Sequence, residues 1–172
     1  MRSKTGFLMV LLLAVFLLVW AYGPFTSPAA AAEPVKIGVI TPLSPPGDPA
    51  AGQLIMRGAK FGAKYVNEEM KGVLGGRPIE LVMEDDSGTP EKGVAAFRKV
   101  ATKDKVSAVI GQYHSSVCTA LVDVGAEYGI PTFSTGASAS IITEKHQITT
   151  FKTHVIDYDR ASTWMDFYMS KG

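Results

Sequence analysis

The stretch VSAVIGQYHSSVCTALVDVGAEYGIPTF, residues 106–133, reads as one complete strand–helix–strand unit. Val106-Ser107-Ala108-Val109-Ile110 is a short, largely apolar run that predicts a strand. Ser115 or Ser116 is placed to cap a helix that reaches Tyr128, where Gly129 stops it. Ile130–Phe133 then starts a second strand. Two strands joined by a helix of this length lie parallel, with a right-handed crossover.

The same unit repeats in both directions along the chain. Upstream, Val35–Ile40 predicts a strand ended by Thr41-Pro42, and Ala51–Met70 has helical spacing. Ile55, Gly58, Gly62, Val66 and Met70 recur on one face of that helix, where the two glycines would let it approach a sheet closely. A Gly-rich turn at 72–76 leads to a strand over Ile79–Glu84 and the acidic loop Asp85-Asp86. Thr89, Pro90 and Glu91 form a helix start, with Thr89 as N-cap, and that helix runs to about Lys103. Downstream, Thr149–Thr153 adds a strand and Asp159–Met169 a last helix. The expected fold is α/β: a three-layer open parallel sheet with strand order 2-1-3-4.

Export is written at the N-terminus. Arg2 and Lys4 precede Phe7–Trp20, a run of 14 residues without a polar side chain. A membrane-spanning helix needs roughly 20 such residues. Small residues at 29–32 follow, so residues 1–32 read as a signal peptide cleaved near Ala32, leaving a soluble periplasmic protein. Without Arg2 and Lys4, 15 of the 17 basic residues face 16 acidic ones, and this balance gives no electrostatic case for nucleic acid. The single cysteine, Cys118, excludes an internal disulfide and is expected to pack as a small apolar residue; lying far from the cleavage region, it also excludes a lipid anchor there.

In an open parallel sheet, ligands bind outside the carboxyl ends of the strands where strand order reverses. Here that point falls between the first and third strands. It gathers the loops 41–51, 111–116 and 134–140, all rich in small and hydroxyl residues. The helix starting near Ser115 offers unpaired N–H groups, and a serine beside them suits a carboxylate.

Several segments resemble the leucine/isoleucine/valine-binding proteins of ABC transporters, in order along the whole region after residue 32. They are VKIGVITPLS (35–44), GVLGGRPIEL (72–81), Glu84-Asp85-Asp86, Val109-Ile110-Gly111 with Ser115-Ser116, and Gly129-Ile130-Pro131 with Ser134. The resemblance implies a two-lobed type I periplasmic binding fold that closes on a small solute and delivers it to an inner-membrane permease. It implies that Ser115 and Ser138 hold an amino acid's carboxylate, with Ser116 as an alternative neighbour, and that the Gly136 carbonyl receives the ammonium. Ala51 stands where the family often has an aromatic residue over the ligand, which loosens leucine-like specificity and allows a larger or different solute. Asp85 and Asp86 are read as loop-shaping residues.

The resemblance also implies that residues 33–172 are the first lobe alone, since the crossing to the second would begin near Lys171-Gly172. In the family the acidic partner of the ammonium lies in that second lobe. Such a fragment is expected to bind amino acids more weakly than millimolar.

Other functions fit less well. His114, Ser115 and Asp123 supply the residue types of a hydrolase triad, but there is no Gly-x-Ser-x-Gly elbow and His114 adjoins Ser115. His114, His146 and His154 lack metal-ligand spacing. A phospho-acceptor domain would need its carboxylates after the first strand, not the second. The reading is a non-catalytic binding component without cofactor. The same lobe also serves as a ligand sensor for amino acids, amides or urea, which is the alternative.

Overall fold

The computed structural model describes residues 32–171; the proposed signal peptide lies, but for Ala32, outside them. Five parallel strands form one sheet in the order β2-β1-β3-β4-β5: β1 (Val35–Thr41), β2 (Ile79–Asp85), β3 (Ala108–Ile110), β4 (Thr132–Ser134) and β5 (Thr150–Lys152). The helices are α1 (Pro49–Glu68), α2 (Pro90–Lys99), α3 (Ser115–Tyr128), the single turn α4 (Ile141–Glu144) and α5 (Asp157–Ser170). The long β1–β2 ladder, Val35↔Ile79 through Thr41↔Asp85, sets the register. β3 meets β1 with Gly38↔Val109, and β4 meets β3 with Ile110↔Phe133. The expected order is present, and β5 extends it at the edge.

The core lies where α2 and α3 cover the sheet. Phe97, Val100, Val117 and Leu121 are completely buried against Ile40 and Val109. Gly93 permits this contact, because a Cβ there would come within 2.6 Å of Val117 Cγ1. A smaller cluster of Cys118, Val122, Ala137 and Ile142 ties α3 to the loop after β4 and to α4. Burial raises the pKa of the Cys118 thiol; it packs as an apolar residue should.

Two local expectations change. Gly58 and Gly62 are exposed, and a Cβ at either would meet nothing within 4 Å, so neither is needed for close approach. The glycine that is needed is Gly52, where a Cβ would sit 1.8 Å from the Pro42 carbonyl oxygen. Thr89 has the extended backbone of an N-cap ahead of Pro90 but makes no side-chain capping bond; its hydroxyl turns back to the Asp86 carbonyl at 3.4 Å. Beyond Lys99, α2 continues through a wide π turn, Val100–Asp104, closed by Lys105 in the left-handed region (φ 56°). Gly129 ends α3 as expected, at φ 64°.

The other sheet face carries α1 alone among the described residues, beside an open apolar groove of about 580 Å³ lined by Ile37, Ile55, Ala59, Ala63, Ile110 and Phe133. Phe133 stacks on the exposed Phe151 there, with ring centroids 4.9 Å apart. Helix α5 buries no residue, and its Trp164, Phe167 and Tyr168 are exposed. It is bonded to the sheet body through its first residue, where the Asp157 N–H donates to the Ser138 carbonyl.

Candidate functional site

The carboxyl ends of β1, β3 and β4 converge on one cavity of about 560 Å³, with Ala51, Leu54, Tyr113, Ser115, Gly136 and Ser138 among its lining. Each wall has a local cause. After β1, the Asp48 carboxylate caps α1 by accepting the Ala50 and Ala51 N–H groups, both at 3.1 Å, and Pro49 follows at the first helical position. This fixes the first turn of α1 and turns Ala51 and Leu54 to the cavity. The Asp48-Pro49 pair was the sequence signal for a helix starting at Pro49 rather than Ala51.

The loop beneath that turn is held by Asp85. Its carboxylate accepts the Leu43 and Ser87 N–H groups, each at 2.8 Å, and the Ser44 hydroxyl at 2.5 Å. Burial pushes this carboxyl up, but the hydrogen bonds from Ser44, Leu43 and Ser87 outweigh it and bring its pKa down to about 2. Asp86 is shifted upward, chiefly by burial, and its carboxylate accepts the Gly88 N–H at 2.7 Å. Both residues shape the loop and neither lines the cavity.

After β3, Gly111 turns the chain at φ 106°, and α3 begins at Ser115 with His114 in the N-cap position, without a side-chain cap. Neither serine therefore caps the helix. The Ser115 hydroxyl oxygen instead accepts the backbone N–H groups of Ser138 and Ala139, at 3.2 and 3.3 Å, from the loop after β4. A hydroxyl has two lone pairs and one proton. With both lone pairs engaged, the Ser115 proton is left to be donated, beside the free N–H groups of the first turn of α3. Their partial positive charge adds to the same donor end.

The loop after β4 is held from its other side as well. The Lys152 ammonium donates to the carbonyls of Ser138 and Ala139, at 2.6 and 3.1 Å. Burial lowers the Lys152 pKa. The Gly136 N–H donates to the Gln112 carbonyl at 3.0 Å, while the Gly136 carbonyl accepts no hydrogen bond among the described residues. A Cβ at Gly136 would lie 2.6 Å from Tyr113 Cδ2, so glycine lets the Tyr113 ring lie against the loop.

Of the five candidate residues, the structure brings Ser115, Gly136, Ser138 and Ala51 to one cavity. Ser116 is exposed and outside the lining. The Ser138 hydroxyl donates to the Asp157 carboxylate at 2.8 Å, and Arg160 donates to the other oxygen of that carboxylate at 2.7 Å. Arg160, Thr135 and Tyr113 also line the cavity without having been singled out from the sequence, as does His154, which the sequence raised only as a metal ligand. Tyr113 could have been found from its place two residues before Ser115. Arg160 had no local signal, because a fold from another element brings it there. Asp123, the third triad-type residue, pairs with Lys145 at 2.6 Å. The arrangement offers hydroxyl and N–H donors to an anion, on a wall with apolar neighbours.

Comparison with known proteins places this geometry in a wider set. A family model described as periplasmic binding protein matches residues 34–172. Leu/Ile/Val-binding protein homolog 2 of Brucella abortus (strain 2308) is 33% identical over 120 residues, covering 69% of this chain and 31% of that protein. The chain thus spans about a third of the length of the curated relatives it matches. An ABC transporter substrate-binding protein from Desulfitobacterium hafniense, in complex with Leu, superposes with a TM-score of 0.72 at 26% identity, covering 81% of this chain and 40% of that one. A solute-binding protein from R. palustris, in complex with 4-hydroxybenzoate, gives 0.62 at 26% identity, covering 72% and 32%.

Proposed function

The chain belongs to the periplasmic binding protein family, and from that premise we propose that it is part of the substrate-binding component of an ABC uptake system. Its ligand is an amino acid, of the branched-chain type or a related small carboxylate, which it carries in the periplasm to an inner-membrane permease. Residues 1–32 act as the signal peptide, and the region from Glu33 supplies the first lobe of the binding cleft. No helix among the described residues is long and apolar enough to cross a membrane.

The observation that carries this reading is the Ser115 hydroxyl. Its oxygen accepts two backbone N–H groups, which leaves its proton available to a ligand beside a helix N-terminus in a cavity. That is a donor set for a carboxylate. Ser138 adds a second donor once a ligand oxygen replaces Asp157 as its partner, and the Gly136 carbonyl is open to an ammonium. The ligands named for the solved neighbours, leucine and 4-hydroxybenzoate, share a carboxylate and little else. The likeness therefore supports the acid group before the side chain.

Two or three charge-assisted hydrogen bonds supply about 1.5 to 3 kcal/mol each. Association costs roughly 4 to 15 kcal/mol, so one wall of a cleft binds weakly. Residues 33–172 alone bind amino acids more weakly than millimolar in this account.

The test is a titration of the ¹⁵N-labelled chain, purified from the periplasm, with L-leucine. Amide shifts centred on Ser115, Gly136 and Ser138 are expected, saturating above millimolar. Micromolar saturation would remove the half-cleft argument, and shifts elsewhere would remove the site.

A further inference from the structure

We propose that Arg160 makes this cavity selective for a solute with a second anionic group, an acidic amino acid or a short dicarboxylate. The inference rests on the carboxylate reading of Ser115 given above and adds to it the identity of the far end of the ligand.

Arg160 lines the same cavity as Ser115 and Ser138 but comes from α5, a different element. One carboxylate links it to the Ser138 loop, between side chains that are 45% and 64% exposed. Asp157 Oδ2 accepts the Ser138 hydroxyl at 2.8 Å, and Asp157 Oδ1 accepts Arg160 Nη2 at 2.7 Å. The two bonds and the carboxylate between them put the guanidinium nitrogen within about 8 Å of the Ser138 hydroxyl. A five-carbon diacid, with C–C bonds of about 1.5 Å, sets its carboxyl carbons about 5 Å apart. A diacid of that length can then reach from the Ser138 end of the donor set to Arg160.

The chemistry favours that assignment. A guanidinium has five N–H donors in a planar fork that matches a carboxylate. Asp157 takes one of them through Nη2, and Asp157 is itself shared with Ser138, so most of the fork remains for a ligand. A leucine side chain would instead bring apolar surface against the guanidinium, covering N–H donors that Asp157 does not take. Ala51 on the α1 wall leaves the room a longer polar side chain needs.

The experiment compares L-glutamate, glutarate and L-leucine by ¹⁵N titration of the periplasm-purified chain, its Arg160→Gln variant and its Arg160→Lys variant. The unaltered chain is expected to bind L-glutamate about ten- to a hundredfold more tightly than L-leucine, the range of a charge-assisted bond. Arg160→Gln should bring that ratio toward one while changing L-leucine binding less than about threefold, and Arg160→Lys should keep part of it. Equal affinity for the two amino acids in the unaltered chain overturns the inference without needing either variant. Equal weakening of both by Arg160→Gln also overturns it, since Arg160 would then serve the shared carboxylate. Binding of all three acids without preference leaves the carboxylate reading standing. Absence of any Ser115 or Ser138 shift removes both.

Discussion

Ser115→Ala deletes one oxygen and leaves the N–H groups of Ser138 and Ala139 without their acceptor. Each bond is worth about 0.5 to 1.5 kcal/mol net. At 3.2 and 3.3 Å both belong in the lower half of that range, so the pair contributes about 1 to 2 kcal/mol. The loop will not unravel, because Lys152 still holds its carbonyls and Ala137 and Ile142 remain fully buried beside Cys118. The loss is therefore local as well as global. Urea denaturation should show the global part at unchanged slope, since the buried surface hardly alters. Hydrogen exchange should show the local part as faster exchange at the Ser138 and Ala139 amides, about tenfold if 1.4 kcal/mol is lost. Unchanged exchange at both amides would refute the reasoning. Ser115 would then not be an oriented donor, and the argument for its available proton would fall with it.

Three further outcomes follow from the same geometry. Gly52→Ala puts a Cβ into the Pro42 carbonyl, a backbone group that cannot step aside, and should destabilise by about 1 to 3 kcal/mol by urea denaturation, whereas Gly58→Ala, with nothing within 4 Å, should stabilise by about 0.5 to 1 kcal/mol. Asp85 falls from 3.8 to about 2 in the fold, so its contribution is present above pH 4 and lost as pH drops through 2. Asp85→Asn should remove about 2 kcal/mol of stability at neutral pH and flatten that acid limb; an unchanged limb would contradict the assignment. Cys118, buried and with its thiol pKa raised by that burial, should react with a thiol reagent only as fast as the chain opens, and rapid labelling of the folded chain would contradict its place in the core.

The fold was legible because its signals are local. Val35–Ile40 and Ile79–Glu84 announce strands by composition, Gly129 stops a helix by its freedom at positive φ, and crossover handedness does the rest. The helix α4 was not legible, since four residues carry no period. The glycines show the limit of pattern reading. Gly58 and Gly62 have the right spacing but face open space, while Gly52, outside the chosen stripe, is pinned by a carbonyl from the preceding loop.

The site divides in the same way. Topology picked out the loops 41–51, 111–116 and 134–140, because the ends of parallel strands gather on one edge, and the family resemblance picked Ser115, Gly136, Ser138 and Ala51, which line one cavity. Neither could give the partner of the Ser115 hydroxyl. A serine at a helix start is expected to cap its own helix, and the competing acceptor role depends on N–H groups 23 and 24 residues away. Arg160 was illegible for the same reason, since a charge on an exposed helix gains meaning only from the Asp157–Ser138 link.

The most direct measurement of the central claim is a crystal structure of the chain at saturating L-glutamate. The account predicts a ligand carboxylate oxygen about 3 Å from Ser115 Oγ, with the Gly136 carbonyl facing the ammonium. A ligand seated in the apolar groove along α1, or one whose carboxylate turns away from Ser115, would contradict it.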